Sequence, residues 1–576
     1  MASAKAAARF LGEVAPAIAI VVPAIGIVWG VTERASWATL GRDQGIFQYV
    51  AWAVSEGDIA YRDVRDVNGP VITIVHTAFQ LLGGTDEHRF RVLDLVCTAL
   101  SFGIAGALVP GIAGVRRVAL RVRAAWALAT WVALSAQYLA YGFWDTAQRE
   151  SFLDWFVVVS LALQASSVSS GELRTRTTRA TLFASGFLSF VSWLGKPTFA
   201  LFTLPQLVAL AIEPGALRDR ARRLGWFFAG GVLGVALPLV WVARRGDLRA
   251  WAQITFVDVP TMYRFIWHRP ASAIFALPGY SALVWTSVLT TFGLVALVVL
   301  RRLPTRALPI AVMPVLALAS VVAQAKGFPY HFHPVTLGFT FAWIVALSAV
   351  WQHAPRATRA GVVLAMRAAA ITGALVVGAH ATLLSWQTPF PSAPFPSARD
   401  AASLESAERL SAFDRIDYFP RAMRDTAAFV AAHTRPDDRV QLYGMDAYLL
   451  FLARRRSATP YIYAYDLNAD AAIHGSFDDD GLVPTAEQAA RIGALRDGHA
   501  RDLLARVVRA PPAAFVFVDR SPLMSGEDAV TDFEQHCPEA AVWMSSHYRQ
   551  VADFDGLRVW LPIREASEAR EAREPH

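Results

Sequence analysis

The chain has 576 residues, of which 55% are hydrophobic and only 18% charged. Soluble globular proteins average about 25% charged residues, so this composition excludes an ordinary soluble enzyme and any disordered or fibrous chain. The net charge of +7 conceals a split: 33 Lys and Arg stand against 18 Asp and Glu up to Ser385, and 21 against 29 from Trp386 onward.

A membrane-crossing helix needs about 20 apolar residues. Runs of that kind recur near 14–31, 90–110, 124–141, 152–168, 180–195, 198–212, 225–243, 280–300, 307–323, 334–351 and 361–385. The expectation is a polytopic α-helical membrane domain, residues 1–385, with about eleven spans, the fifth and sixth runs being short enough to form one broken helix. The first run follows Lys5 and Arg9, and with so many later spans it reads as an uncleaved helix. The alternate segments 1–13, 111–123, 169–179, 213–224, 301–306 and 352–360 hold 18 Lys and Arg in 64 residues, with Arg116, Arg117, Arg121 and Arg123 among them. The positive-inside rule then places the N-terminus in the cytoplasm and the acidic tail outside it.

Two long loops fall on the outer side, 32–89 and 244–279. In the first, Gly45–Glu56 and Val71–Leu82 read as short helices lying along the membrane surface. After a Pro-rich linker, Thr388–Ser397, helical patterning over Arg421–His433 is followed by strand-like runs at Arg439–Tyr443, Ala513–Val518 and Gly556–Leu561. This alternation predicts a soluble α/β domain over 386–576. Cys97 and Cys537 are the only cysteines, too few for a disulfide framework or a Cys-based zinc site.

Polar residues concentrate in the first outer loop. Arg42-Asp43-Gln44-Gly45-Ile46-Phe47-Gln48-Tyr49 follows the first span, and Tyr61-Arg62-Asp63-Val64-Arg65-Asp66-Val67-Asn68-Gly69-Pro70 comes next. A carboxylate among arginines and apolar helices is poised to accept a proton; as plain solvated loop residues, these charges would carry only weak surface pairs. Asp145, Arg149 and Glu150 form a second polar group at a helix junction. Lys196 and Lys326 are two of only three lysines, and both fall at outer helix ends. Tyr330, His331 and His333 precede the tenth run; an H-x-H pair alone makes a weak metal site without a third ligand. Asp478-Asp479-Asp480 in the tail reads as a solvated loop. No nucleotide-binding or metalloprotease motif is present, and the acidic tail is no nucleic-acid surface.

The pattern D-x-G-x-F-x-Y from Asp43, followed by Y-x-D-x-x-D-x-x-G-P from Tyr61, resembles the GT-C superfamily of glycosyltransferases. The similarity is to its bacterial polyprenyl-phosphate-sugar branch, which includes lipid A aminoarabinose transferases, protein O-mannosyltransferases and galacturonosyltransferases of lipopolysaccharide core. The resemblance implies a GT-C-like fold and an enzyme of the bacterial cytoplasmic membrane. It implies a polyprenyl-phosphate-linked sugar donor, a lipid, glycan or protein acceptor, no certain cofactor, and a divalent metal only as an option. It assigns catalysis to Asp43, with Asp66 beside it, and makes Arg42, Tyr61, Asp63, Arg65, Asp145, Arg149, Glu150, Lys196, Lys326, Tyr330, His331 and His333 candidates for substrate binding. Where the family usually has Lys in D-x-K-G-P this chain has Asn68, so Arg62 or Arg65 becomes the candidate cation. A lipid-linked sugar transporter, a polysaccharide polymerase or ligase, and an inactive scaffold are the alternatives. A transporter would carry charges deep in its spans and matched broken helices.

Overall fold

The computed structural model describes residues 2–115, 118–167, 176–277, 279–354, 359–387, 390, 407–475 and 481–563. Arg116, Arg117, the linker apart from Phe390, and Asp478–Asp480 lie outside the described residues.

The chain is a polytopic helical membrane protein with a C-terminal sheet domain. The helices are α1 (Ala2–Ser36), α2 (Arg42–Ser55), α3 (Pro70–Gly83), α4 (Glu87–Ile112), α5 (Leu120–Leu139), α6 (Gly142–Asp145), α7 (Arg149–Ser166), α8 (Arg176–Val191), α9 (Thr203–Ile212), α10 (Leu217–Arg245), α11 (Leu248–Gln253), α12 (Ala271–Ala276), α13 (Tyr280–Val299), α14 (Leu308–Gln324), α15 (His333–His353) and α16 (Ala360–Trp386). Among the described residues, seven helices are long and apolar enough to cross a membrane: those containing α1, α4, α10, α13, α14, α15 and α16. The other four expected runs fall in α5, α7, α8 and Pro197–Ile212, which do not reach that length and hydropathy together. A break does separate the fifth run from the sixth: α8 gives way to 3-10 turns at Ser192–Leu194 and Pro197–Phe202, with Lys196 between them.

Among the described helices, α8 and α10 share the most extensive contact. A Cβ on Gly186 would stand 1.8 Å from the Phe227 carbonyl oxygen, and one on Gly230 would stand 1.9 Å from that of Phe183. Small residues let the two backbones touch, as membrane helices require in the absence of a hydrophobic drive between them. The outward faces keep large apolar side chains exposed, among them Val22, Trp285, Leu289, Phe292 and Leu364.

Helix α2 starts three residues earlier than the periodicity predicts, which puts Arg42 and Asp43 in its first turn. The Gln44 side chain accepts the Gly41 N–H at 2.7 Å and closes that end. Twelve of its fourteen residues are buried, because the C-terminal domain covers it: a Cβ on Gly45 would lie 2.4 Å from that of Tyr448. Helix α3 keeps Leu81 and Leu82 exposed, as a helix on a membrane surface would.

The C-terminal domain contains α17 (Pro420–His433), strands β1 (Arg439–Tyr443), β2 (Arg456–Ser457), β3 (Ala514–Val518), β4 (Tyr548–Phe554) and β5 (Leu557–Pro562), and helix α18 (Ala486–Arg509) before β3. The sheet order is β2-β1-β3-β5-β4, parallel across the first three strands and antiparallel thereafter. Every residue of β3 is buried, as its continuous apolar run requires. The β4–β5 turn at Asp555-Gly556 has positive φ at both residues, the conformation that Asp-Gly adopts readily in a tight hairpin.

Candidate active site

A polar cavity of about 370 Å³ lies between the start of α2, the α6–α7 junction, the segment 263–267, Phe328–Tyr330 and the C-terminal domain. Asp43 and Asp145 both line it, together with Arg42, Asn68, Gln148, Arg149, Tyr330, Asp417, Tyr463 and Tyr465.

Asp43 sits at a helix N-terminus, where backbone N–H groups favour a negative charge, and the Gln148 side chain hydrogen-bonds it. Burial pushes its carboxyl above the usual range, while Arg42 and Arg149 pull the other way. Asp145 is pushed up to about 7, chiefly by burial and then by the charge of Asp43; Arg415 opposes both. Burial thus raises both carboxyls of this cavity, and different neighbouring charges act on each.

Arg42 ties the cavity wall to the C-terminal domain. Its Nε donates to Asp446 Oδ1 at 2.8 Å and its Nη1 to Asp417 Oδ2 at 3.0 Å, with the guanidinium 5.7 Å from the centres of the Trp144 and Tyr418 rings. Arg149 is held from the other direction: its Nη1 donates to Asn68 Oδ1 at 2.8 Å, and Asn68 Nδ2 donates to Asp66 Oδ1 at 2.7 Å. Asp66 also accepts from Tyr463 Oη at 3.2 Å, and Tyr61 Oη donates to the Asn68 carbonyl at 3.0 Å. Thus Asn68, where the family pattern has Lys, orients an arginine on the cavity wall. Arg149 Nε is buried and makes no hydrogen bond within the described residues, while the side chain as a whole lines the cavity.

Behind Arg149, the Glu150 carboxylate contacts Lys196 Nζ and lies 3.6 Å from both Arg149 Nη2 and His331 Nε2. Lys196 and Arg149 outweigh the upward push of burial and hold Glu150 below the usual carboxylate range. Lys326 Nζ donates to backbone carbonyls of Tyr263 and Ile266, fastening the 263–267 segment. His333 Nε2 lies 2.7 Å from the Asp145 carbonyl oxygen, so His331 and His333 engage different partners. Arg65 is buried between Asp258, 2.8 Å away, and Asp466, 3.0 Å away, and does not line the cavity. Asp63 pairs with the exposed Arg62 at 2.9 Å and does not line it either. The structure thus brings together Asp43, Asp66, Asp145, Arg149, Glu150, Lys196 and His331, with Tyr330 on the wall, and sets Arg62, Asp63 and Arg65 apart.

Sequence reasoning missed Arg91. Fully buried at the start of α4, it donates to the Thr39 carbonyl and Gln44 Oε1 at 2.7 Å each and to the Phe143 carbonyl at 3.0 Å. The Gln44 amide donates in turn to the carbonyls of Phe143 and Thr146. These two side chains staple the loop carrying Asp43 to the loop carrying Asp145. The available signal was an arginine inside an apolar run, where charge is costly and retained for a purpose.

A second, apolar cavity of about 670 Å³ runs between α5, α13, α15 and α16, lined by residues such as Leu283, Phe339, Trp343 and Val377. Pro329 lines both this cavity and the polar one.

The fold and site define a membrane-embedded helical bundle whose polar cavity is closed by a C-terminal α/β domain. No protein-family model and no curated protein matches the chain. Among solved structures, the chain is similar to ArnT from Cupriavidus metallidurans bound to undecaprenyl phosphate, at 15% identity and a TM-score of 0.47, over 93% of this chain and 96% of that one. The apo state of the same protein gives 14% identity and 0.48, over 94% and 97%. The archaeal oligosaccharyltransferase AglB from Archaeoglobus fulgidus, in complex with an inhibitory peptide and a dolichol-phosphate, gives 12% and 0.45, over 96% of this chain and 74% of that one.

Proposed function

We propose that the chain is a GT-C-type membrane glycosyltransferase. In this reading it moves a sugar from a polyprenyl-phosphate carrier to a hydroxyl of a lipid, glycan or protein acceptor, on the outer face of a bacterial cytoplasmic membrane. The observation that carries the reading is a pair of neighbouring cavities with Pro329 in both walls. One is an apolar groove between helices, and the other is lined by the carboxylates of Asp43 and Asp145 and by Arg149. An amphiphile fits that pair, with its chain in the groove and its phosphate toward Arg149.

Asp43 takes the proton from the acceptor hydroxyl as its oxygen bonds to the anomeric carbon. The bond from that carbon to the phosphate oxygen breaks, and the electron pair leaves with the phosphate, whose charge Arg149 meets. Because a phosphate leaves without needing a proton, one base suffices, unlike the two carboxylates of a glycosidase. Direct displacement inverts the anomeric centre. The arginine-rich alternate loops support an N-terminus in the cytoplasm and a catalytic face on the opposite side.

The test is Asp43→Asn, purified and given labelled polyprenyl-phosphate sugars. Transfer falls by about 10²-fold or more, the usual worth of a general base, while donor binding persists. Full transfer by that variant overturns the assignment of the base, and donor binding without turnover by the wild-type protein under any acceptor condition overturns the reading as an enzyme.

A further inference from the structure

A second cluster of ligand-type side chains lies in the C-terminal domain, behind the cavity wall and outside the chemistry above. Asp532 and His536 are four residues apart on the helix Ala529–His536, so they project from one face. Asp470, at the start of the turn Asp470–Ile473, approaches that face. His536 Nε2 lies 3.0 Å from Asp470 Oδ2 and 3.8 Å from Asp532 Oδ1, and one ligand atom from each of the three falls within 4.8 Å of the others. Ligands around a tetrahedral zinc at 2.0–2.2 Å stand about 3.2–3.6 Å apart, so the cluster needs little movement to close on an ion.

Asn468 is wholly buried beside the cluster, and its amide nitrogen donates to Asp532 Oδ2 at 3.1 Å and to the Leu523 carbonyl at 3.4 Å. Tyr443 Oη donates to Asp532 Oδ2 at 2.6 Å and fixes the carboxylate's rotation, the kind of support that metal-ligating carboxylates receive.

We infer that Asp470, Asp532 and His536 form a binding site for one divalent transition-metal cation of the zinc class. An imidazole among oxygen ligands selects such an ion over calcium or magnesium, which prefer oxygen alone. The site is structural. It would tie the segment after Tyr463 and Tyr465, both on the cavity wall, to the helix Ala529–His536, and so set one side of the cavity.

The full chain, purified without a polyhistidine tag and stripped with EDTA, is loaded with Zn²⁺, desalted and analysed for metal. One equivalent is retained by the wild type and lost in both His536→Ala and Asp532→Asn. No retained equivalent in the wild type, equal retention by the variants, or preferential retention of Ca²⁺ overturns the site. Hydrogen exchange on the wild-type chain needs no variant to fold: Zn²⁺ slows exchange in 461–475 and 529–536, and protection confined to other segments overturns the inference.

Discussion

Asp43 and Asp145 share one cavity yet differ in what surrounds them. Burial raises both: at Asp43 two arginines oppose it, whereas at Asp145 the charge of Asp43 adds to it and Arg415 opposes it. As pH rises through about 7, Asp145 takes on a negative charge beside the place where a donor phosphate would sit. Donor affinity is therefore expected to fall as pH rises across that value, and Asp145→Asn should remove that part of the dependence. Donor dissociation constants measured on either side of pH 7 check this, and an identical slope in the variant contradicts it. Asp43 and Arg149 are legible in the sequence because each belongs to a polar group in a loop between apolar runs. The bond from Asn68 to Arg149 is not legible, since its partners stand 81 positions apart.

At the scale of elements, two devices hold the site. The Arg91 staple joins two loops through planar, forked hydrogen bonding that lysine does not reproduce. Arg91→Lys is expected to lower kcat more than it raises the donor KM, because both carboxylate-bearing loops lose their common anchor while Arg149 stays in place. Steady-state kinetics on the folded variant separate this from a loss of stability alone, which would reduce active enzyme without changing KM or the pH profile. The second device is the α8–α10 contact. Gly230→Ala drives a methyl group into the Phe183 carbonyl, and a backbone oxygen does not yield as a side-chain end would. A loss of about 1–3 kcal/mol is expected, as for overpacking in other tight interiors, measured as a lower midpoint of thermal unfolding in detergent. Periodicity placed these helices, but it carried no information about which of them meet.

Across the whole molecule, the two domains are joined by charge pairs at their common face: Arg42 with Asp446 and Asp417, Arg424 with Glu87 at 2.6 Å, and Arg439 with Asp58 at 2.6 Å. Breaking a buried pair by removing one partner costs about 3–5 kcal/mol, since the remaining charge is left without compensation. Asp446→Ala leaves Arg42 with Asp417 alone and is expected to loosen the C-terminal domain from α2 and to lower transfer, because Arg42 is adjacent to Asp43. Faster hydrogen exchange across α2 reports the loosening; unchanged exchange with unchanged activity contradicts it. The sequence by itself determined the class of molecule: apolar runs of membrane length, an acidic α/β tail, and a carboxylate after the first span. Those features are local, written in hydropathy, periodicity and charge over windows of some twenty residues. Tertiary structure alone decided that Tyr463 and Tyr465 wall the same cavity as Asp43, that Arg65 pairs with Asp258 and Asp466 instead of lining that cavity, and that Asn68 aims Arg149. Each depends on contacts between residues tens to hundreds of positions apart, and such contacts arise only when helices and domains pack.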